Sequence, residues 1–417
     1  MIKSIEINRF KSLQDVNIEL GSVNLFIGRN GVGKSNILEA IGLLSACLGP
    51  AIDYNALQGK GVRLSTPLLF KSAFKGRHKT NSFSMTARFS ENSYYTASLS
   101  AGKDSTDLHF LSEKLYLNGN KIFGRSNRGI DTPLCPDINK NNIDINRGLW
   151  DQVRAVLNMA ADEANDISSL SKYVIYSPQT SFLRGVDTEA FQTKPIGLHG
   201  GNLAQAAAWV FTHLKQLREQ GEEKFAHHIS KLLWATGWAN SISVGEHDPK
   251  SVPSVVKNNG NILYFKDKFM SLGKNKLSAY DSSEGTLYLL FLISLIAHKD
   301  TPKIFAVDNV DFSLNPGIIR EIVEYLISIC CQDDDINSNL KKQLLFTSHN
   351  PATLDAFDIF DDCQRIFVVS RNDDGTSKVT RLKAANGITK DEWIDITKGR
   401  NLSEMMLSDK IKGAITV

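Results

Sequence analysis

The sequence predicts an α/β fold, because short apolar strands alternate with helices in two separate parts of the chain. In the first part, residues 23–27 form the apolar run of a buried strand, and helical periodicity follows over residues 36–48. In the second part, a strand at residues 303–307 is followed by a helix at 317–331 and a strand at 343–347. Strands and helices that alternate in this way are expected to form a parallel sheet.

Other patterns predict further elements. Alternating apolar residues at 5–7 and 16–20 indicate two strands of a hairpin or sheet edge, and residues 83–89 and 94–99 indicate two more strands. Residues 202–238 are predicted to be helical with a break at Gly221, and residues 366–369 and 378–382 are predicted to form a final hairpin with its turn at 373–375.

The composition is that of an ordinary globular protein. Of the 417 residues, 42% are hydrophobic and 22% charged, and the net charge of +3 neither demands nor excludes nucleic-acid binding. The most apolar stretch, residues 287–297, is too short to cross a bilayer, and the first residues carry no apolar signal region. None of the five cysteines forms a CxxC pair, and the adjacent Cys330 and Cys331 suit neither a zinc site nor an easy disulfide. We therefore expect a reduced, cytoplasmic protein with no membrane partner.

The strongest motif lies between the first apolar strand and its helix. Residues 28–35 read Gly-Arg-Asn-Gly-Val-Gly-Lys-Ser, which matches the pattern GxxxxGK followed by Ser or Thr without a gap. In such a loop, backbone N–H groups surround a phosphate, the lysine reaches the β- and γ-phosphates, and the serine hydroxyl is placed to bind Mg²⁺. The pattern therefore predicts a site for ATP and Mg²⁺. The residues predicted to bind the nucleotide here are Asn30, Gly31, Gly33, Lys34, Ser35 and Asn36.

A second motif ends the strand at residues 303–307. Four apolar residues lead directly into Asp308, a pattern typical of an aspartate that holds magnesium through water. Alone this signal is weak, because buried strands often end in aspartate. The helix that follows, and the later strand that ends in Ser348 and His349, strengthen it. We predict that Ser35 and Asp308 form the metal site.

A third motif, residues 282–286 (Ser-Ser-Glu-Gly-Thr), begins a long apolar helix. One interpretation is a capped helix start, with Ser282 or Ser283 as the N-cap. The other is a helix N-terminus aimed at a γ-phosphate. Taken by itself the motif favours the cap. In order with the other motifs it favours phosphate binding, which makes Ser283 and Gly285 nucleotide-binding residues.

The ordered set of motifs resembles that of the ABC-type ATPases of the SMC, RecF and OLD group, especially the stand-alone OLD-like ATPases. Residues 7–12 and the glycine-rich loop are similar to the start of these proteins. Residues 283–286 are similar to their signature motif, and residues 314–316 lie where they carry the D-loop. Residues 347–351 resemble their switch-histidine segment. The resemblance covers about residues 1–110 and 270–385.

The resemblance implies an ATPase that closes head to tail as a dimer around two ATP molecules. Ser283 and Gly285 of one subunit would then face the nucleotide of the other, and His349 would sense the γ-phosphate. We expect this subunit to switch an effector encoded nearby, a nuclease or toxin, in a bacterial anti-phage defence complex. Two alternatives stay open: an ATP-locked oligomeric scaffold that sequesters a toxin or nuclease, and a RecF-like DNA-repair ATPase.

The chain departs from this family directly after Asp308. The family normally has a glutamate there, which polarises the attacking water, whereas this chain has Asn309, whose amide cannot accept a proton. Either Asp311 or His349 orients the water instead, or hydrolysis is slow and ATP mainly locks a dimer. We expect slow turnover. The glutamine that usually contacts magnesium has only a weak candidate, Gln179.

The predicted architecture is an ABC-type P-loop head formed by residues 1–110 and 265–417, with a mainly helical insertion with polar loops at 111–264. Basic stretches at residues 71–79 and 266–276 are able to contact phosphates of DNA or RNA, although such stretches are more often solvated surface. Fewer than seventy residues follow His349. We therefore expect no nuclease domain of its own, and any effector to be a partner chain.

Overall fold

The two strand–helix blocks of the sequence come together in one six-stranded sheet. The structure is a computed structural model. It describes residues 1–76, 81–101, 107–134, 143–144, 147–157, 164–190, 193–219, 221, 223–252, 260–332, 341–384 and 387–408.

The strands are β1 (Ser4–Phe10), β2 (Leu13–Glu19), β3 (Val23–Ile27), β4 (Ser82–Ser90), β5 (Ser93–Ala101), β6 (Leu108–Leu117), β7 (Asn120–Ser126), β8 (Gly129–Asp131), β9 (Ile175–Tyr176), β10 (Ala239–Gly245), β11 (Ile262–Asp267), β12 (Lys276–Ser278), β13 (Ile304–Val307), β14 (Gln343–Ser348), β15 (Gln364–Arg371) and β16 (Ser377–Leu382). The helices are α1 (Lys34–Ala46), α2 (Tyr54–Gly59), α3 (Leu149–Val153), α4 (Asn165–Ser171), α5 (Thr180–Leu183), α6 (Leu203–Glu219), α7 (Glu223–Leu233), α8 (Glu284–Ala297), α9 (Pro316–Ile327), α10 (Lys390–Thr397) and α11 (Leu402–Leu407).

The six-stranded sheet has the order β16-β15-β3-β14-β13-β9. Strand β3 lies between β14 and β15 and is parallel to both, and β13 continues the parallel set between β14 and β9. The edge strand β16 is antiparallel to β15, as the hairpin predicted at the end of the chain requires. The α/β prediction is confirmed, and the carboxyl ends of five parallel strands meet at one edge of this sheet.

Side chains of the central strands alternate between two apolar cores. All five residues of β3 are buried, which explains their continuous apolar run. Leu25 and Ile27 face the core formed with α6, α7, α8 and α9, whereas Phe26 faces the core formed with α1. Strand β13 divides in the same way, with Phe305 on the first side and Ala306 on the second. The sheet is therefore covered by helices on one face and by α1 on the other.

A second, antiparallel sheet lies beyond α1. Its order is β2-β1-β4-β5-β6-β7-β8, and α1 contacts β1 and β4 of this sheet as well as β9 and β14 of the first. The predicted hairpin of β1 and β2 and the predicted strands β4 and β5 are confirmed within it. Helix α1 is therefore enclosed between two sheets, which explains why most of its residues are buried.

The structure differs from the predicted division of the chain. The boundary at residues 110 and 111 falls inside β6, because the antiparallel sheet continues through β8. The boundary at 264 and 265 falls inside β11, which pairs with β10 and β12 in a three-stranded sheet. Helices occupy the middle of the predicted insertion, from α3 to α7, and α6 and α7 separate at Gly221, as expected. The insertion is therefore helical in its middle and β-structured at both ends.

Strands β6 and β10 were missed for different reasons. Register shifts interrupt the pairing of β6 with β5 and with β7, so its ladder is irregular at two places. Strand β10 alternates over Ile242 and Val244, but it is short and has no fully buried residue, so its apolar signal is weak. Among the described residues, no helix is both long and apolar enough to cross a membrane.

The expectation that the cysteines form no disulfide is wrong. Cys331 pairs with Cys363 across 32 residues of sequence, with 5.7 Å between their Cα atoms. After α9 the chain continues as a π-helical turn over Ser328–Gln332. This turn buries Cys330 in the core and leaves Cys331 half-buried beside the start of β15. The partner is close in space but distant in sequence, so spacing alone could not reveal the pair.

A buried carboxylate anchors the antiparallel sheet to the helices that follow it. Glu113 on β6 accepts hydrogen bonds from the Tyr95 hydroxyl at 2.8 Å, from Arg125 Nε at 2.9 Å and from the Leu149 amide. Burial raises the pKa of Glu113, while the Arg125 guanidinium and these donors oppose the rise. Because the carboxylate joins two strands and the N-terminus of α3, its removal affects all three.

We predict that Glu113→Ala lowers the free energy of unfolding by about 3–5 kcal/mol, because Arg125 loses its carboxylate partner in a buried place. Urea denaturation followed by circular dichroism measures the change. The double variant Glu113→Ala with Arg125→Met recovers part of the loss, since the buried charge is gone as well. If Glu113→Ala unfolds at the same urea concentration as the unchanged protein, the network contributes nothing.

Candidate functional site

Three polar side chains meet at the sheet edge where three parallel strands end. Ser35 follows β3 in the glycine-rich loop, Asp308 follows β13, and Thr347 lies near the end of β14. The Ser35 hydroxyl lies 3.1 and 3.0 Å from the two carboxylate oxygens of Asp308. The Thr347 hydroxyl also donates to Asp308. Residues 273 positions apart in the sequence thus form one polar cluster at the carboxyl edge of the sheet.

Lys34 lies at the first position of α1 and points back into the glycine-rich loop. Its ammonium group donates to the carbonyl oxygens of Gly28 at 2.7 Å and Arg29 at 2.8 Å. Burial lowers the pKa of Lys34, and the charges of Asp308 and Asp311 oppose this effect. The ammonium group is therefore held inside the loop, where a phosphate would lie.

The glycine-rich loop is braced by residues that the sequence analysis did not assign. Gly33 has φ 107°, and a Cβ atom on it would lie 2.2 Å from the Ser377 hydroxyl and 2.6 Å from the Ser12 hydroxyl. Ser377 donates to the Val32 carbonyl at 2.6 Å and contacts Ser12 at the same distance. Only glycine fits at Gly33, since two hydroxyl groups occupy the place of a side chain.

Arg371, at the end of β15, holds the tip of the loop. Its Nε and Nη2 donate to the Gly31 carbonyl at 2.9 and 2.8 Å, and its Nη1 donates to the Gly375 carbonyl at 2.6 Å. Gly375 belongs to the turn of the final hairpin. That hairpin was predicted, but its arginine carried no recognisable motif.

A cluster of charged side chains forms around Glu39 of α1, the helix that follows the glycine-rich loop. Glu39 is buried and bonds both Lys11 and Arg63. Arg63 also donates to the Asn36 side chain at 3.0 Å, and Asn36 donates to the Ser12 hydroxyl at 2.8 Å. The opening segment of the chain and the residues after α2 are thereby fastened to the first turn of α1. Lys11 and Ser12 belong to the segment whose resemblance was noted in the sequence, so that signal was present there.

Asp311 and His349 form a pair beside the Asp308 cluster. The Asp311 side chain is 1% exposed, and its Oδ2 lies 3.1 Å from His349 Nδ1 and accepts the Asn350 amide at 3.1 Å. The His349 side chain is 55% exposed. Asp311 Oδ1 is buried and has no hydrogen-bond partner among the described residues. Asp311 therefore orients the imidazole from the protein interior. The imidazole is exposed to solvent, whereas the carboxylate is not.

Asn309 adopts a left-handed backbone conformation, with φ 58°. Its amide donates to the Thr347 hydroxyl at 2.8 Å, and its carbonyl accepts the Phe312 amide at 3.0 Å in a tight turn after β13. Asparagine tolerates this conformation better than glutamate does, because its short polar side chain adapts to it. The exposed side chain lies next to Asp308, where a water-activating group would be needed.

The residues predicted to act on a second nucleotide lie at the start of α8. Ser283 is the N-cap residue, but its side chain makes no capping hydrogen bond, and it is exposed. The buried Ser282 hydroxyl instead donates to the Ala279 carbonyl at 3.1 Å. A Cβ atom on Gly285 would lie 2.9 Å from the Ser313 carbonyl, so α8 packs closely on the turn after Asp308. The Ser283 hydroxyl therefore makes no capping hydrogen bond to α8, although the capping interpretation expected one.

Two weaker sequence hypotheses stay predictions: a magnesium contact by Gln179 and nucleic-acid contact by the two basic stretches. Gln179 is exposed just after β9, at the same sheet edge as Asp308, and its contact with magnesium stays a prediction. In the first basic stretch, residues 77–79 lie outside the described part of the chain. In the second, Lys266, Lys268, Lys274 and Lys276 are exposed around a hairpin.

The arrangement fits a nucleotide with its magnesium ion. Ser35 and Asp308 offer oxygen atoms at one point, which is the ligand type that Mg²⁺ prefers. A glycine-rich loop and the N-terminus of α1 provide N–H groups and positive potential for phosphates. The donor set therefore matches the chemistry predicted from the sequence.

Two segments of the chain match models of known protein families, and each segment contains part of this site. Residues 1–117, which include the glycine-rich loop, match a family model described as "AAA ATPase domain". Residues 217–355, which include Ser283, Asp308 and His349, match one described as "AAA domain, putative AbiEii toxin, Type IV TA system".

Two individual proteins are also similar. A segment of 52 residues is 35% identical to the OLD nuclease of Thermus scotoductus, and it covers 12% of this chain and 10% of that protein. The SMC head domain from Thermotoga maritima aligns over 92% of this chain and 99% of its own, with 14% identity and a TM-score of 0.42.

The two matched ATPase models contain the two halves of the site that the sheet brings together. The glycine-rich loop lies in the segment that one model matches, and Asp308 and His349 lie in the segment that the other model matches. Over these two segments, and in the order of its motifs, the chain is similar to P-loop ATPase domains.

Proposed function

We propose that this chain binds ATP and Mg²⁺, dimerises around two ATP molecules, hydrolyses them slowly, and switches a partner effector in a bacterial anti-phage defence complex. The observation that carries the proposal is the meeting of Ser35 and Asp308 beside the glycine-rich loop, which fits a nucleotide with its metal, together with Asn309 where a general base would stand. Such a site favours a long-lived ATP state over rapid turnover.

Nucleotide binding changes the partners of Lys34. Its ammonium group leaves the carbonyls of Gly28 and Arg29 and pairs with phosphate oxygens, a stronger charge-assisted interaction. Ser35 and Asp308 would hold the metal, with Thr347 orienting the aspartate. When bound there, the ion would supply positive charge to the phosphates. The loop itself moves little, because Ser12, Ser377 and Arg371 fasten it from behind.

Hydrolysis needs a group that orients water near the γ-phosphate. His349 presents its Nε2 outward, because Asp311 engages Nδ1. The imidazole can orient water or contact the γ-phosphate, but the buried Asp311 acts on water only through it. Asn309 can position water by hydrogen bonding without accepting its proton. Slow turnover follows from this combination.

Dimerisation uses the start of α8. The Ser283 hydroxyl is exposed and free of a capping bond, and the helix N-terminus behind it favours negative charge. A nucleotide held by a second copy meets both requirements. Closing two copies in this way completes each site with a helix N-terminus from the other.

The biological context is supported by the family model over residues 217–355, whose description names a type IV toxin–antitoxin system. A partner effector, nuclease or toxin, is therefore the expected output of the ATP switch in the cytoplasm. Asn309 also favours a second candidate, an ATP-locked scaffold that sequesters such an effector with almost no turnover. The turnover rate distinguishes the two functions, and stimulation of that rate by DNA would indicate a repair ATPase instead.

We expect Lys34→Ala to weaken ATP binding by about 100-fold, because the variant loses the charge that pairs with the β- and γ-phosphates. Isothermal titration calorimetry with Mg-ATP measures the loss. Lys172→Ala, at an exposed lysine after α4, is the matched control and keeps full affinity. Full-affinity binding by Lys34→Ala would rule out the P-loop site.

Ser283→Arg is expected to keep ATP binding to the single chain but to prevent ATP-dependent association, because a large cation blocks the start of α8. Light scattering after size-exclusion chromatography, with Mg-ATP present, gives the mass of the assembly. Ser126→Arg, at an exposed serine on β7, serves as the control. An unchanged ATP-bound assembly in Ser283→Arg would contradict the head-to-tail dimer.

Asn309→Glu is expected to raise the ATP hydrolysis rate by about tenfold or more, since a full general-base contribution is about 10²–10⁴-fold. Its matched control is Asn309→Gln, which has the same length and the same backbone strain at a left-handed position but no carboxylate. Phosphate release under saturating Mg-ATP measures the rate, and the ATP-bound assembly becomes shorter-lived in the glutamate variant.

Asp311→Asn identifies the group that the unchanged protein uses. A loss of turnover that equals the loss in His349→Gln, without further loss in the double variant, indicates that Asp311 acts by holding the imidazole. If the unchanged protein turns over many ATP molecules per second and Asn309→Glu changes nothing, the slow-switch proposal fails.

A further inference from the structure

Helix α8 packs closely on the turn that follows β13. We define the Asn309 turn as residues 309–313. Gly285 and Tyr288 lie on one face of α8, because residues at this spacing are neighbours on a helix surface. A Cβ atom on Gly285 would lie 2.9 Å from the Ser313 carbonyl oxygen. The fully buried Tyr288 donates its hydroxyl to the Asn309 carbonyl at 3.3 Å. Both ends of the Asn309 turn therefore contact the same face of α8.

The tyrosine ring adds an apolar contact to this hydrogen bond. The ring lies edge-on to Phe312, with 5.7 Å between the two ring centres. Burial raises the pKa of the Tyr288 hydroxyl well above its usual value, and the carboxylates of Asp311 and Asp308 raise it further. The hydroxyl therefore stays protonated and remains a donor. Tyr288 holds the Asn309 turn through its ring and its hydroxyl together.

The Asn309 turn depends on support from neighbouring elements. Asn309 and Ser313 both have left-handed backbones, with φ 58° and 54°, although neither is glycine. Such residues persist where the surrounding structure holds them in place. Strand β14 supplies part of this support, because the hydroxyl and the carbonyl of Thr347 accept the amides of Asn309 at 2.8 Å and Val310 at 2.9 Å. Helix α8 supplies another part through Tyr288.

The Asn309 turn carries the two groups to which the proposed function gives a role in hydrolysis. Asn309 directly follows Asp308, and Asp311 Oδ2 lies 3.1 Å from Nδ1 of the His349 imidazole. The turn thus sets where the Asn309 amide lies and holds the carboxylate that orients the imidazole. A shift of the turn would change the placement of both groups relative to the glycine-rich loop.

We infer that Tyr288 is a positioning residue, which couples a phosphate contact at Ser283 to the hydrolysis groups of the same chain. The inference rests on the proposed dimer, in which that phosphate belongs to the nucleotide of the second copy. Ser283 is exposed at the N-terminus of α8 and makes no capping hydrogen bond, so a bound phosphate would draw the start of the helix toward itself. Gly285 and Tyr288 then move the Asn309 turn with the helix.

The coupling hydrogen bond has room to shorten. Its 3.3 Å is longer than the distance of about 2.7–2.8 Å that is usual for a hydroxyl donor. A small shift of α8 toward the turn brings the Tyr288 hydroxyl closer to the Asn309 carbonyl and fixes the turn more firmly. Two-fold symmetry makes the coupling reciprocal. A nucleotide in either site of the dimer thus prepares the other site for hydrolysis.

A double-mutant cycle on the full chain tests the coupling. Tyr288→Phe removes the hydroxyl alone, and Ser283→Ala removes the proposed phosphate contact. Phosphate release gives the turnover at saturating Mg-ATP, at a protein concentration where light scattering shows that every variant is assembled. We expect each single variant to lose about three- to tenfold in turnover, without a change in the ATP affinity of the single chain. The double variant should lose no more than the larger single loss, because both changes interrupt one connection.

Tyr173→Phe is the matched control for the loss of a buried hydroxyl. Tyr173 is also fully buried, and its hydroxyl donates to the Leu38 carbonyl at 3.2 Å. Any loss of turnover in this variant should multiply with the loss in Ser283→Ala. Phe312→Leu is a second test, since it removes the ring contact but keeps the Tyr288 hydroxyl. It should also be non-additive with Ser283→Ala, and it decides the question if Tyr288→Phe does not fold.

The outcomes separate this inference from the proposed function. If the losses in Tyr288→Phe and Ser283→Ala multiply, or if Tyr288→Phe hydrolyses ATP at the unchanged rate, the coupling is wrong and the dimer stands. If Ser283→Ala hydrolyses ATP at the full rate within an intact assembly, no phosphate contact exists to be transmitted, and the inference is overturned. If the unchanged protein forms no assembly with Mg-ATP, the dimer and the coupling are both wrong.

Discussion

The hydrogen bonds that join Ser35, Asp308 and Thr347 are the point on which the rest of the site depends. Asp308 directly follows β13, Thr347 lies near the end of β14, and Ser35 is the second residue of α1, beyond the loop that follows β3. The three meet only if β3, β13 and β14 pair in register. The same pairing sets Lys34 at the start of α1 and His349 just past β14. A disturbance of the sheet would therefore affect the proposed binding of metal and phosphate and the proposed orientation of water together.

The glycine-rich loop has support on several sides, and this support belongs to elements far apart in the chain. Ser12 comes from the turn after β1, Ser377 from the start of β16 and Arg371 from the end of β15. Glu39 adds Lys11 and Arg63 on the outer side of α1. Such a loop can receive a phosphate with little reorganisation, because its backbone is already held in the binding conformation. Pre-organised binding joined to a weak base suits a switch that stays closed for a long time.

Asn309 illustrates how backbone geometry and chemistry act on one position. The turn after β13 requires a left-handed residue, and asparagine accepts that conformation readily. The same side chain lacks the basicity for rapid hydrolysis. Below it, Asp311 is buried against His349, so the nearest carboxylate is committed to holding the imidazole. The backbone geometry of this turn and the proposed slow hydrolysis therefore both favour asparagine at this position, each for its own reason.

The local motifs were sufficient to predict the α/β class and the central strands, and they supplied the residues that the sheet brings together as a candidate nucleotide site. Residues 28–35 are recognised by the spacing of their glycines, lysine and serine, and the strand that ends in Asp308 is recognised by its apolar run. Both signals can be found in the sequence because each is contained within a few neighbouring residues. The strands β6, β10 and β11 were missed or cut, since a bulge interrupts β6, β10 is only partly buried, and β11 is a short apolar run without alternation. The boundaries of the insertion were therefore misplaced.

Long-range neighbours were decided only by the tertiary structure. Nothing local marks Arg371 as a support of Gly31, Ser377 as the occupant of the space beside Gly33, or Cys363 as the partner of Cys331. Asp311 could be proposed as a base from its type and position, but its burial under His349 required the fold. The sequence by itself determined which chemistry the chain carries, because that chemistry resides in short motifs. The tertiary structure decided which groups hold the motifs in place, because those groups are brought together by sheet pairing across more than 300 residues.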